Sequence, residues 1–356
     1  METVNTTPPN SPKAFKTYQV LLPVLLGLVV IGWLFLKEFD PAILHQLSFT
    51  STSLLFILLA FVLMLVRDFG MIWRFRMITD NDLSWKQAFH INVLSEFTSA
   101  VTPAAVGGSS LVVIFLMKEG INAGRSTTIM FVNLLLDELF FIFMCPLLFV
   151  FIPMDAIFNS SSTIVSTFGV IFWSLYVGRL IWTTILFIGI FRKPSWIKHM
   201  LLLVFSLPFI RRWQHKVELL TDNLVHTSKD FGGRGMLFWA EAFGTTLLTW
   251  TARFLVVNAI FLAFTPIGNH LVVFARQLVL WVIMVVSPTP GGSGVSEYAF
   301  KMYYSDIFSS ASAIIFVTLI WRLISYYLYL FFGVLLIPNW IKKSFSKSNS
   351  TNKPAN

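Results

Sequence analysis

The chain has 356 residues, 56% of them apolar and 12% charged, with 37 Phe and a mean hydropathy of +0.75. About half the charge of an ordinary soluble domain and this much apolar surface exclude a water-soluble globular protein, and the single cysteine, Cys145, excludes a disulfide framework or thiolate metal site within one chain. The net charge of +9 is read through the positive-inside rule rather than as a nucleic-acid footprint, because Lys and Arg cluster between apolar runs.

Residues 1–17 are a polar leader carrying Lys13 and Lys16, predicted to be a cytoplasmic tail. A spanning helix needs about 20 apolar residues, and six runs satisfy this: 18–36, 51–76, 126–152, 163–191, 236–264 and 308–338. The first is too long for a signal-peptide core and lacks a small-residue cleavage site, so an uncleaved helix is expected. Two further apolar segments, 86–118 and 269–304, are broken. One contains Thr102-Pro103-Ala104-Ala105-Val106-Gly107-Gly108-Ser109, the other Ser287-Pro288-Thr289-Pro290-Gly291-Gly292-Ser293-Gly294. No helix runs smoothly through either, so each reads as helix, loop and short helix. The stretch 192–235 is rich in Lys and Arg and reads as a cytoplasmic connector with an interfacial piece over 196–210. Residues 339–356 read as a disordered basic cytoplasmic tail.

Loop charge sets the expected orientation. Arg74, Arg76 and Lys86 mark an inside loop, as do Lys118 and Arg125, so the first broken segment enters and leaves on the cytoplasmic side. The 153–162 and 265–270 loops carry no Lys or Arg and fall outside. With the basic tail inside, the second broken segment enters and leaves on the outer face, although Arg276 and Lys301 weigh against this. The expected fold is therefore an all-α polytopic membrane protein, N-in and C-in. It has six spans and two re-entrant broken-helix hairpins, making eight hydrophobic segments. Repeat one (51–152) and repeat two (236–338) form an inverted repeat within a transmembrane domain over 18–338. Arg67 lies 40 residues before Gly107, and Arg253 lies 38 before Gly291, so the two halves match in spacing. Paired interrupted segments in corresponding positions point to a transporter's binding site.

Two constellations carry chemistry. Non-helical backbone at membrane depth is tolerated where protein buries it or a wet cavity adjoins it, and the amides opening each short helix suit an anion. Thr102, Pro103, Gly107, Gly108, Ser109, Ser110, Pro288, Pro290, Gly291, Gly292 and Ser293 are the candidates there; close packing through small residues is the structural alternative. The second constellation is the set of charges inside apolar runs: Arg67, Asp68, Asp137, Glu138, Arg179, Glu241, Arg253, Glu297 and Arg322. These either pair between helices or contact a headgroup. Arg253 and Arg322 offer forks for phosphate, and Glu297 suits a cation or proton. Arg67 and Asp68 lie toward the cytoplasmic end, where snorkelling suffices. No Walker loop, HExxH or GxSxG is present, and the six His are scattered, so no cofactor or metal is expected. His90 and Glu96, in the first hairpin, are weak titration candidates.

The second break, from Ser287 to Glu297, resembles the flippase-like transmembrane family related to bacterial lysylphosphatidylglycerol synthases; Pro-Thr-Pro-Gly-Gly followed by Glu is typical of it. The run 102–108, followed by Lys118-Glu119-Gly120, is similar to the family's first motif, and the likeness spans roughly 20–338. Ser109 and Val112 depart from it, standing where many members carry an acidic or amide residue and then a basic one. The resemblance implies translocation of a lipid, with membrane lipids and a separately encoded lipid-synthesising enzyme as partners, in a bacterial cytoplasmic membrane. It does not imply aminoacylation, because the soluble aminoacyl-transferring domain of the synthases is expected to be absent. Three functions stay open at this point: a lipid transporter, a membrane-embedded lipid-modifying transferase or its subunit using Glu297, Asp137 and Glu138, and a scaffold docking a partner on 192–235.

Overall fold

The computed structural model describes residues 50–102, 108–158, 163–193, 195–196, 227–308 and 310–336. The span expected over 18–36, the piece over 196–210 and both tails lie outside them. The described residues are helical, without a strand.

Helix α1 (Ser51–Ile78) starts where the Thr50 hydroxyl accepts the Ser53 amide and stops at Asp80 and Asn81, both left-handed with φ of +56° and +63°. Short polar Asp and Asn are among the few non-glycine residues that settle there. Helix α2 (Trp85–Val101) opens on a capping box between Ser84 and Gln87. It ends at Thr102, extended with φ −116° and ψ 153°, as expected of a residue whose successor is proline. Helices α3 (Gly108–Lys118), α4 (Ala123–Phe151), α5 (Met154–Phe158) and α6 (Thr163–Phe187, widening into a π turn over Ile188–Arg192) complete the first part.

The second part begins with α7 (Met236–Leu262). It continues with α8 (His270–Met284), capped by the Asn269 side chain, and α9 (Val295–Tyr304) beyond the proline break. Helix α10 (Ala311–Arg322) passes through a π segment at Leu323–Tyr327 and stays helical to Leu336. Five helices are long and apolar enough to cross a membrane: Ser51–Ile78, Ala123–Phe151, Gly169–Arg192, Met236–Leu262 and Ala311–Leu336. Leu54, Leu58, Leu65, Val150, Phe151 and Val170 face outward, as lipid-facing positions do.

Helices α1 and α7, which head the two halves, pack on each other most extensively. A Cβ at Gly70 would stand 2.5 Å from the Thr249 hydroxyl and 3.3 Å from the Thr245 carbonyl oxygen. Small residues let membrane helices approach this closely, where van der Waals contact replaces the hydrophobic effect as the driving force. Helices α2 and α3 pack as one interrupted pair, and α8 and α9 as another. Phe97, Ala100 and Val101 near the end of α2 bury against Tyr326 and Leu330 of the last helix.

Candidate functional site

The end of α2 meets the second break. The Gly291 amide donates to the Thr102 carbonyl at 3.1 Å, joining the end of α2 to the turn after Pro290. The approach requires glycine: φ is +57°, and an added Cβ would lie 2.8 Å from the Ala100 carbonyl oxygen and overlap Tyr326. Gly292 and Gly294 also have positive φ, at +68° and +84°. The Tyr326 hydroxyl donates to the Ala100 carbonyl at 3.1 Å and bonds the buried Ser293 hydroxyl at 2.9 Å. Pro288 is exposed, and Pro290 is half-buried at the turn. Pro103 and Gly107 lie outside the described residues; Gly108 and Ser109 form the start of α3, described by backbone only.

Beside this junction lies a cavity of about 290 Å³. Gly291, Gly292, Arg253, Arg322, Trp281 and Glu96 are among the residues that line it. Arg322 is held firmly: its Nε donates to Glu297 Oε1 at 2.6 Å, and its guanidinium stacks 4.1 Å from the Tyr326 ring centre. Glu297, fully buried, also accepts the Gly294 amide at 2.7 Å and the Ser296 hydroxyl at 3.0 Å. The chain's own carboxylate thus caps the helix start at which an external anion was expected, and Glu297 takes its charge partner from Arg322. Arg253 is held loosely, 3.6 Å from Glu96 Oε2, with its guanidinium over the Trp281 face at 4.2 Å.

A second cavity of about 180 Å³ adjoins the first, lined by Arg67, Arg74, Asn92, Asn133 and Asp137 among others. Glu96, Ser99, Arg253 and Trp281 line both. The Asn92 and Asn133 amides donate to Asp68 and to the Ile129 carbonyl, leaving both side-chain oxygens buried without a partner. Buried unsatisfied acceptors around a void are the places where water or a polar ligand group settles.

Two sequence expectations are corrected here. Arg67 does not snorkel: it is 2% exposed, bonds Asp68 at 2.7 Å and pairs with Glu96, and Tyr329 joins both Arg67 and Asp68. Arg74 is not a loop charge that reports orientation. It is fully buried in α1 and grips Asp137 with two bonds of 2.7 and 3.2 Å, with Trp250 donating to the same carboxylate at 2.8 Å. Glu138 pairs with Arg179 at 2.8 Å across α4 and α6. Glu241 is exposed, and among the described residues no ion pair includes it. Glu96, a weak candidate in sequence, holds a central place, and Trp281, Tyr326 and Tyr329 had no signal beyond being aromatic in apolar runs. No group of three His, Cys, Asp or Glu suited to a metal occurs among the described residues.

At one end of the bundle, outside the helices, Asp80 takes two bonds of 2.7 and 2.6 Å from Arg234 and one of 3.1 Å from Arg125. The Arg234 hydrogen bond holds the Asp80 carboxyl below the usual carboxylate range against partial burial, and the charges of Arg234 and Arg125 add to it. In the second half, Arg276 forks onto Asp306 at 2.6 and 2.8 Å and donates to the Ala156 carbonyl at 2.8 Å.

Together these features define a multi-pass helical membrane protein in which two interrupted helix pairs meet at a charged internal cavity. The chain belongs to the lysylphosphatidylglycerol synthase transmembrane-region family, whose model matches residues 20–333. It is also similar to a protein of Archaeoglobus fulgidus described as a UPF0104 membrane protein. The two are 25% identical over 345 residues, covering 93% of this chain and 100% of the relative. No solved structure matches.

Proposed function

We propose that this protein moves a lipid with an anionic headgroup across a bacterial-type cytoplasmic membrane, without a covalent step. The observation that carries this reading is the junction of the end of α2 with the second break, beside a cavity lined by two arginines. A guanidinium in a low-dielectric cavity is matched by a phosphate, and the outward apolar helix faces leave lipid tails in lipid. An aminoacyl-phospholipid, a phospholipid or a polyprenyl phosphate fits this chemistry, supplied by a separately encoded lipid-synthesising enzyme. With no nucleotide motif in the sequence, movement is downhill or coupled to an ion gradient.

In this reading the interrupted pairs are re-entrant hairpins entering from opposite faces, within an inverted repeat of six spans with both termini inside. The pairing of Arg276 with Asp306 supports it, because a neutralised arginine carries little weight against an outer position. The test is dithionite quenching of fluorescent phosphatidylglycerol in vesicles, comparing the parent with Gly291→Leu and Arg253→Gln. Both variants are expected to lose transport while remaining monodisperse. Parent-like rates in folded variants would refute the reading.

A further inference from the structure

Arg67, Glu96 and Arg253 form a cluster around one shared carboxylate beside two adjoining cavities. Glu96 presents Oε1 to Arg67 and Oε2 to Arg253. Arg67 has a second carboxylate, Asp68, at 2.7 Å. Among the described residues Glu96 is the one carboxylate within ion-pair distance of Arg253, and at 3.6 Å that contact lies beyond an ordinary hydrogen bond. Arg253 and Glu96 line both cavities. The other cavity arginine, Arg322, is committed to Glu297 at 2.6 Å. Of the two cations facing the larger cavity, Arg253 is therefore the one free to exchange partners.

We propose that Glu96 is a resident counter-ion that an incoming phosphate displaces from Arg253, and that its return to Arg253 releases the phosphate. This deepens the transport reading and rests on it. The exchange is affordable because neither partner is stranded. Glu96 keeps Arg67 when Arg253 leaves, and Arg253 gains the phosphate, so no buried charge is left uncompensated. A carboxylate that competes for the binding arginine weakens the bound state. Binding that is too tight traps the cargo, so this competition favours turnover.

The resulting signature is opposite in sign to that of a structural residue. Full-length protein in phosphatidylcholine nanodiscs is titrated with short-chain phosphatidylglycerol and, separately, with glycerol phosphate; transport is followed in vesicles as above. Glu96→Gln is expected to bind about tenfold tighter, the order of one nearby charge removed at a partly screened site, and to transport several-fold more slowly. Arg253→Gln abolishes the gain in the double variant. Because Glu96→Gln risks the fold, Glu96→Asp is measured beside it. It keeps the charge that Arg67 needs, draws back from Arg253, and is expected to tighten binding by a smaller factor.

Tightening with both ligands supports exchange at the phosphate itself, and tightening with the lipid alone supports exchange that also needs acyl chains. Unchanged or weaker binding in folded Glu96→Gln or Glu96→Asp overturns the inference while leaving parent transport, and the transport reading, standing. A parent protein that neither binds nor moves phosphatidylglycerol overturns both.

Discussion

Removing the charge of Glu297 tests how the second break is held. The side chain is fully buried and accepts three bonds: 2.6 Å from Arg322, 2.7 Å from the Gly294 amide and 3.0 Å from Ser296. Glu297→Gln keeps the shape but leaves the Arg322 guanidinium, 5% exposed, without its anion. Breaking a buried pair on one side costs about 3–5 kcal/mol, and weakening the helix cap adds about 1 kcal/mol. Removing the cation together with the anion leaves no buried charge uncompensated. Glu297→Gln/Arg322→Met is therefore expected to regain most of the loss, less the cap. The assay is equilibrium unfolding in mixed micelles, with vesicle transport measured in parallel. The expected pattern is a single variant destabilised by about 4–6 kcal/mol, a double variant restored in stability apart from the cap, and no transport by the double variant because its cavity has lost the Arg322 cation. A single variant within about 1 kcal/mol of the parent, or a double variant worse than the single, would refute the argument that this pair is desolvated and coupled.

Three further outcomes follow. A Cβ at Gly333 would overlap Phe97, which is fully buried, so Gly333→Ala is expected to cost about 1–3 kcal/mol by overpacking in the same unfolding assay. The Asp80 carboxyl is depressed by Arg234 and Arg125, so its contribution is present above the unfolded-state value of about 3.9 and fades as pH falls through the lower folded-state value. The stability gap between parent and Asp80→Asn should therefore hold from pH 7 to about 5 and close toward acid; because the carboxylate is half exposed, the gap is small, under about 1 kcal/mol. Arg276→Lys loses the fork onto Asp306 and the bonds to Ala156, so hydrogen exchange should quicken in Met154–Phe158 while distant helices keep their protection.

The sequence by itself determined the membrane class and the places where helices start and break. Apolar runs of spanning length have one solvent in which they are stable, and the prolines of Thr102-Pro103 and Ser287-Pro288-Thr289-Pro290 lack the amide donors that a helix needs and turn the residue before them away from the α region. It also flagged Arg253, Glu297 and Arg322, because charge in an apolar run is costly wherever it points. The partners were not legible, since pairing depends on how helices rotate and approach, which hydropathy does not encode. Arg74 read as a loop charge and Arg67 as a snorkelling one. The close packing of α1 on α7 at Gly70, and of α1 on α2, turned both inward to Asp137 and Glu96. Only the tertiary structure brought Gly291 onto Thr102 and set Glu96 between two arginines, because those contacts join residues from different helices at a distance fixed by packing alone.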